Sequence, residues 1–157
     1  MAQHPFPCEI CAQLEDIGQN RLARFVAELP SGYVVLGPSQ YFRGYTLLLA
    51  KSAAPDLEDL EWPQRLQFLR DVAVVSEAVA AVCQPHKMNV ESLGNVVPHL
   101  HFHFFPRYET EKSPENPVWL AMPDADEAEK YAFSPEKHGQ LIEKLRAKIA
   151  EIDAARA

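Results

Sequence analysis

Three histidines, His99, His101 and His103, stand at alternate positions in "PHLHFHFFPRY", Pro98–Tyr108. Leu100, Phe102, Phe104 and Phe105 lie between and after them. Side chains alternate across a β-strand, so the imidazoles share one face and the apolar groups the other. A rise of about 3.3 Å per residue sets successive imidazoles roughly 7 Å apart. Three kinds of chemistry fit this ribbon. The histidines can be hydrogen-bonded groups on a half-buried strand, although strand propensity does not favour histidine. They can bind a metal, given further ligands from elsewhere. Or they can attack phosphorus: imidazole is a good nucleophile near neutral pH, a phosphoramidate is labile enough to be hydrolysed, and a neighbouring imidazole can hold a tautomer or move protons.

A second cluster is "CEIC", which places Cys8 and Cys11 at zinc-ligand spacing but supplies only half a site. A redox reading wants such a pair at a strand-to-helix junction of another fold. Cys83 reads as a small core residue at the end of a long helix.

The elements that must position these groups follow from pattern. "RFVAEL" (Arg24–Leu29) and "YVVLG" (Tyr33–Gly37) flank "PSG", a hairpin with Gly32 in its turn. "GYTLLLAK" (Gly44–Lys51) reads as a third strand. From Pro63 to about Cys83, Phe68, Val72, Val75, Val79 and Val82 recur at helical steps, with Pro63 tolerable in the first turn. The helix must end before Pro85. Two strands, Lys87–Leu93 and His99–Phe105, then flank "GNVVP", and residues 106–123 read as irregular. Ser134 is an N-cap beside Pro135, and Leu141, Leu145 and Ile149 line a closing helix. The first twenty residues show no clear element. Five strands joined mostly by hairpin-like links, with two main helices, predict an α+β fold with an antiparallel sheet.

"HLHFHFF" resembles the signature of the histidine-triad (HIT) superfamily, His-φ-His-φ-His-φ-φ with φ apolar, at all seven positions, and "PR" follows as in many members. "NVESLGNVVP" is similar to a bacterial HIT hydrolase subgroup. The likeness runs from about Cys8 to Tyr108. It implies the HIT fold, a five-stranded antiparallel sheet with one long helix and a C-terminal helix. It also implies hydrolysis or nucleotidyl transfer at the α-phosphorus of a nucleoside phosphoanhydride or phosphoramidate, for example a dinucleoside polyphosphate. His101 would be the nucleophile that carries a covalent nucleotidyl group until water releases the monophosphate. His103 would lie near the phosphate and leaving group, and His99 would support His101. A histidine rather than glutamine at 103 disfavours the hexose-1-phosphate uridylyltransferase branch. Asn89 and Asn95 would bind the phosphate or leaving group, unless they are edge or turn residues. Backbone N–H groups between Gly94 and Pro98 could cradle an anion. Arg107 would bind phosphate or project into solvent; Lys51 and Arg43 are weaker candidates. The alternative is a HIT-like protein that binds nucleotide or metal without turnover.

Departures from the pattern sharpen these expectations. Zinc-bearing members add a histidine after the third strand and use the first triad histidine as a fourth ligand. His99 is present, but "AKSAAPDL" offers Ala53 and Ala54 instead. The metal set Cys8, Cys11 and His99 is therefore incomplete unless His4 or His86 joins it, and the competing reading is two thiols left from an ancestral site. No cofactor is required for the chemistry. Where members often have a histidine supporting the triad from beneath, this chain has Tyr45, whose hydroxyl could bond similarly. The position that often grips the ribose is Val35, three residues before Pro38, so weak ribose recognition is expected.

Composition bounds the rest. The 157 residues are 47% hydrophobic and 24% charged, with a net charge of −7. That balance opposes broad nucleic-acid or membrane-surface binding, and no stretch is apolar enough to span a bilayer. An odd three cysteines and no signal-like N-terminus predict a cytoplasmic protein. One domain over residues 1–157 is expected, its motif-bearing part at about 8–108 and a C-terminal extension at 109–157. The family resemblance and the apolar long helix suggest a homodimer acting on a nucleotide.

Overall fold

The computed structural model describes residues 8–156. Helix α1 (Glu9–Gly18) leads into strands β1 (Phe25–Glu28), β2 (Gly32–Leu36) and β3 (Thr46–Ala50). The long helix α2 (Trp62–Cys83) follows, then β4 (Lys87–Glu91), β5 (His101–Arg107), the short helix α3 (Ala125–Lys130) and α4 (Pro135–Ala155). The five strands form one antiparallel sheet in the order β1-β2-β3-β5-β4. The α+β architecture expected from the sequence is the one observed. No helix among the described residues is long and apolar enough to cross a membrane.

The two sheet faces have different tasks. Val34, Leu36, Leu48, Ala50 and Phe104 point to one side and pack on Phe68, Val75 and Val79 of α2 and on Leu145 and Ile149 of α4. Burying a Leu or Phe side chain contributes about 1.5–3 kcal/mol, so this layer fixes the sheet. The opposite face carries Val35, Leu47, Leu49, His101 and His103, by the cross-strand register. Over its β2–β3 side lies α1, through Ile10, Leu14 and Ile17.

Several expectations are corrected. Helix α1 lies where no element was read, although Ile10, Leu14 and Ile17 have helical spacing; its N-cap is Cys8, a residue type that gives no capping signal. Gly32 is not a turn residue: it begins β2 opposite Ala50, and a Cβ there would come within 2.7 Å of the Leu49 carbonyl oxygen. The third strand starts at Thr46, and β4 ends at Glu91. The last strand runs from His101 to Arg107, so His99 precedes it and Pro106 belongs to it, paired with Met88. The buried face of α2 includes Asp71, whose carboxylate accepts from the Ser31 N–H and hydroxyl and anchors the β1–β2 turn.

Candidate active site

The His101 and His103 rings converge instead of standing in rank, their centroids 4.7 Å apart at 70°. His101 is buried and His103 half-buried. His101 Nδ1 lies 2.6 Å from the His99 carbonyl oxygen. A carbonyl can only accept, so Nδ1 carries the proton and Nε2 keeps its lone pair. That tautomer makes Nε2 a nucleophile. His99 therefore supports His101 through its backbone, while its ring turns elsewhere. His99 Nε2 donates to the Ala50 carbonyl at 2.8 Å, which leaves Nδ1 as a lone-pair donor.

His99 Nδ1 faces both Cys8 Sγ and Cys11 Sγ, at 3.6 Å each. Tetrahedral zinc with Zn–S of about 2.3 Å and Zn–N of about 2.0–2.1 Å holds sulfur and nitrogen about 3.6 Å apart. The donor set and its spacing thus fit zinc, and all three ligand atoms lie within 4.8 Å of one another. The structure brings together the metal residues read from the sequence. Ala53 and Ala54 add no ligand, and His86 is exposed at the head of β4, hydrogen-bonded through its N–H to the Arg107 carbonyl at the other end of β5. His4 lies outside the described residues.

His103 Nδ1 meets the Tyr45 hydroxyl at 2.7 Å. A hydroxyl can donate to or accept from this nitrogen, so it serves either protonation state of the ring. Burial chiefly, and the His101 charge next, push the His103 pKa down to about 4. Burial pushes the Tyr45 hydroxyl well above its ordinary value, so it stays protonated. Two glycines position it. Gly44, with φ +92°, turns the chain just before Tyr45, and a Cβ on Gly37 would stand 2.0 Å from the Tyr45 ring. Tyr45 therefore buttresses the triad; its place among substrate-binding residues is not supported by these contacts.

Arg107 neither binds phosphate from the surface nor projects into solvent. It is 1% exposed and ion-paired to Glu111 at 2.7 Å. It also donates to Asn89 Oδ1 at 2.9 Å and to the Asn116 carbonyl at 2.8 Å. Its guanidinium nails down the segment after β5, and this commits Asn89 as its acceptor. Asn95 is exposed on the loop between β4 and His99, near Gly94, whose φ is +67°. Lys51 pairs with Glu28, and Arg43 lies over the Tyr108 ring, so both have structural partners. Val35 is buried among Ile10, Leu14 and Leu49 beneath α1, so it lines no ribose pocket.

Two residues of this face carried no sequence signal. The segment held by Arg107 carries Trp119, whose ring contacts His103 and Phe105 edge-on at 5.9 Å each. Glu91 is the cross-strand partner of His103. The alternation that puts Asn89 on this face also puts Glu91 there. Trp119 sits in a stretch whose prolines give no periodicity to read.

An α+β protein with converged histidines on the last strand of a five-stranded antiparallel sheet has the histidine-triad architecture. The HIT domain model matches residues 19–110, and the chain belongs to the HIT family. Similar solved structures include a histidine triad protein from Bradyrhizobium japonicum, 24% identical, TM-score 0.70, covering 94% of this chain and 97% of that one. A hypothetical histidine triad nucleotide-binding protein from Sulfolobus tokodaii is 18% identical, with TM-score 0.69 and coverage of 92% and 93%. A zinc-bound histidine triad family protein from Mycobacterium smegmatis is 21% identical, with TM-score 0.59 and coverage of 94% and 96%. At these identities the likeness concerns the fold. No curated protein matches the sequence.

Proposed function

We propose that the protein is a nucleotide hydrolase or nucleotidyl transferase that works through His101. The observation that carries this reading is the hydrogen bond from His101 Nδ1–H to the His99 carbonyl, which leaves Nε2 bare beside a second imidazole. In the first step His101 Nε2 bonds to the α-phosphorus of a nucleoside phosphoanhydride or phosphoramidate. The bond from phosphorus to the departing oxygen or nitrogen breaks, and its electron pair leaves with that atom. His103 is neutral in the free protein at pH 7, but a bound phosphate anion favours its imidazolium. The proton taken up with the substrate passes from His103 Nε2 to the departing atom, and Nδ1–H then rests on the Tyr45 oxygen. In the second step water attacks phosphorus and gives a proton to His103 Nε2. The His101–phosphorus bond breaks, and a nucleoside monophosphate leaves. The HIT family membership and the nucleotide-binding name of the Sulfolobus tokodaii neighbour support a nucleotide as ligand.

The test is His101→Asn, with turnover of a nucleoside 5′-phosphoramidate and of diadenosine polyphosphate measured beside binding. Loss of a nucleophile typically costs several orders of magnitude. Turnover above about a tenth of the parent's refutes the assignment and leaves nucleotide binding without catalysis as the reading.

For the thiol cluster we propose a structural zinc held by Cys8, Cys11 and His99, supported by the 3.6 Å sulfur–nitrogen spacings and the tautomer set by Ala50. Zinc there would tie α1 to the segment entering β5, and it takes no part in the steps above. The exposed Trp62, Leu66 and Leu69 of α2 support a second copy of this chain as a partner; sedimentation of the wild-type protein tests that, and a monomer refutes it.

A further inference from the structure

Beyond the C-terminal end of β5 the chain forms a cavity of about 450 Å³ that the steps above do not use. Tyr108, on its wall, is five residues past His103, so roughly 17 Å along the chain from the triad. Tyr41 and Arg43 line it from the link between β2 and β3, and Thr110, Lys112 and Tyr131 from the segment after β5. Lys112 and Tyr131 lie outside the residues that the HIT domain model matches. The backbone pins that extension in place: Ala132 bridges to Ser39, and the Gln40 N–H donates to the Tyr131 carbonyl at 2.7 Å. The Tyr41 and Tyr131 rings then meet edge to face at 5.4 Å.

The charges left over in this lining are positive. Arg43 lies 5.2 Å from the centre of the Tyr108 ring and commits only Nη2, to the Cys83 carbonyl at 3.4 Å. Its Nε and Nη1, the Lys112 ammonium and the Tyr41, Tyr131 and Thr110 hydroxyls have no hydrogen-bond partner among the described residues. The carboxylate on the wall, Glu111, is already neutralised: Oε2 pairs with Arg107 at 2.7 Å, and Oε1 accepts the Tyr108 N–H at 2.7 Å. Burial, then the Glu127 and Glu111 charges, hold the Tyr41 hydroxyl above its ordinary value, so it stays a donor. Two uncancelled cations and three hydroxyls thus meet in one cavity of a chain whose net charge is −7. That set matches a phosphate dianion. Inorganic phosphate would leave most of the space empty, because pockets of about 300–1,000 Å³ take whole small molecules. Tyr131, 46% exposed, offers the rest of the space an aromatic surface, and a base stacked on such a ring gains about 1–3 kcal/mol.

We infer that this cavity is a second nucleotide site, separate from the triad: a nucleoside monophosphate sets its phosphate on Arg43 and Lys112 and its base on Tyr131 and Tyr41. No bond is made or broken there. The same species is the product of the reaction proposed above; the lining selects it whether or not the triad makes it.

Equilibrium dialysis of radiolabelled adenosine 5′-monophosphate against the full-length protein counts the sites. The wild-type chain should hold two equivalents. Lys112→Glu, at an exposed position, should weaken one of them about tenfold and leave the other, and Tyr131→Ser should weaken the same one about fivefold. The retained equivalent shows that the sample is folded. Two equivalents that both substitutions leave unchanged overturn the site. A single equivalent that both leave unchanged also overturns it and keeps the triad reading. A single equivalent weakened by Lys112→Glu keeps this site and overturns nucleotide binding at the triad, and no binding at all overturns both. Inorganic phosphate that displaces the Lys112-dependent equivalent as well as adenosine 5′-monophosphate does would overturn the nucleotide assignment.

Discussion

Tyr45→Phe isolates the contact on which His103 depends. It removes one oxygen, 2.7 Å from His103 Nδ1, and keeps the ring that packs against Gly37 and stacks on Phe105 at 4.1 Å. In the free protein the bond is between neutral groups, worth about 0.5–1.5 kcal/mol; with an imidazolium it becomes charge-assisted, about 1.5–3 kcal/mol. Only the difference between the free protein and the substrate-bound protein acts on kcat/KM, which compares the transition state with free protein and substrate. That difference, roughly 1–1.5 kcal/mol, predicts a fall in kcat/KM of about tenfold. The decisive assay uses two leaving groups. An alkylamine must be protonated to depart, whereas a nitrophenolate leaves as an anion. The tenfold loss should appear for the amine and shrink to less than about threefold for the nitrophenolate. A loss equal for both would refute His103 as the proton carrier and reduce Tyr45 to packing. The unpaired Nδ1 should also cost about 1–3 kcal/mol of stability, a fall in Tm of roughly 3–9 °C.

Other outcomes follow from the same geometry. Because His103 titrates near 4 when folded but near 6.5 when unfolded, the unfolded chain binds the extra proton between these values, so stability falls as pH drops from about 6.5 towards 4. The group faces His101, Tyr45 and Glu91; the unfolding free energy from urea titrations at pH 7 and pH 4.5 should differ by roughly 2.4 kcal/mol, and His103→Gln should flatten the difference. Arg107→Ala leaves the half-buried Glu111 and the acceptors Asn89 and Asn116 without their donor and should cost about 1–3 kcal/mol, read as a fall in Tm. Elemental analysis of protein purified without chelator should find zinc that Cys8→Ala removes, and metal-free wild-type protein refutes the structural-zinc reading. Gly37→Ala forces the Tyr45 ring aside and should reproduce the Tyr45→Phe loss in kcat/KM, because only hydrogen fits at that point.

The legible parts of the molecule are those where pattern and packing agree. Phe68, Val75 and Val79 announce α2 because one face of that helix meets the sheet, and the alternation around His101 announces β5 because one of its faces meets α2. The histidines, the two cysteines and Tyr45 were legible as chemistry because their types are informative wherever they lie. What escaped reading depends on contacts distant in sequence. Helix α1 is short, and its N-cap is a thiol. Arg107 reads as an exposed cation until the fold brings Asn89 and Asn116 to it. Val35 reads as the loss of a ribose contact, because nothing local reveals that α1 covers it.

The bond from His101 to the His99 carbonyl divides His99 into two separable parts. Its ring serves the thiols and Ala50; its peptide group aims the nucleophile. Any amino acid at that position brings the same carbonyl, so the lone pair of His101 is oriented by the path of the main chain and not by the identity of its neighbour. A lineage could then exchange the His99 ring, and with it the metal, while keeping the attack geometry intact. Catalysis and metal binding share a residue here without sharing an evolutionary fate.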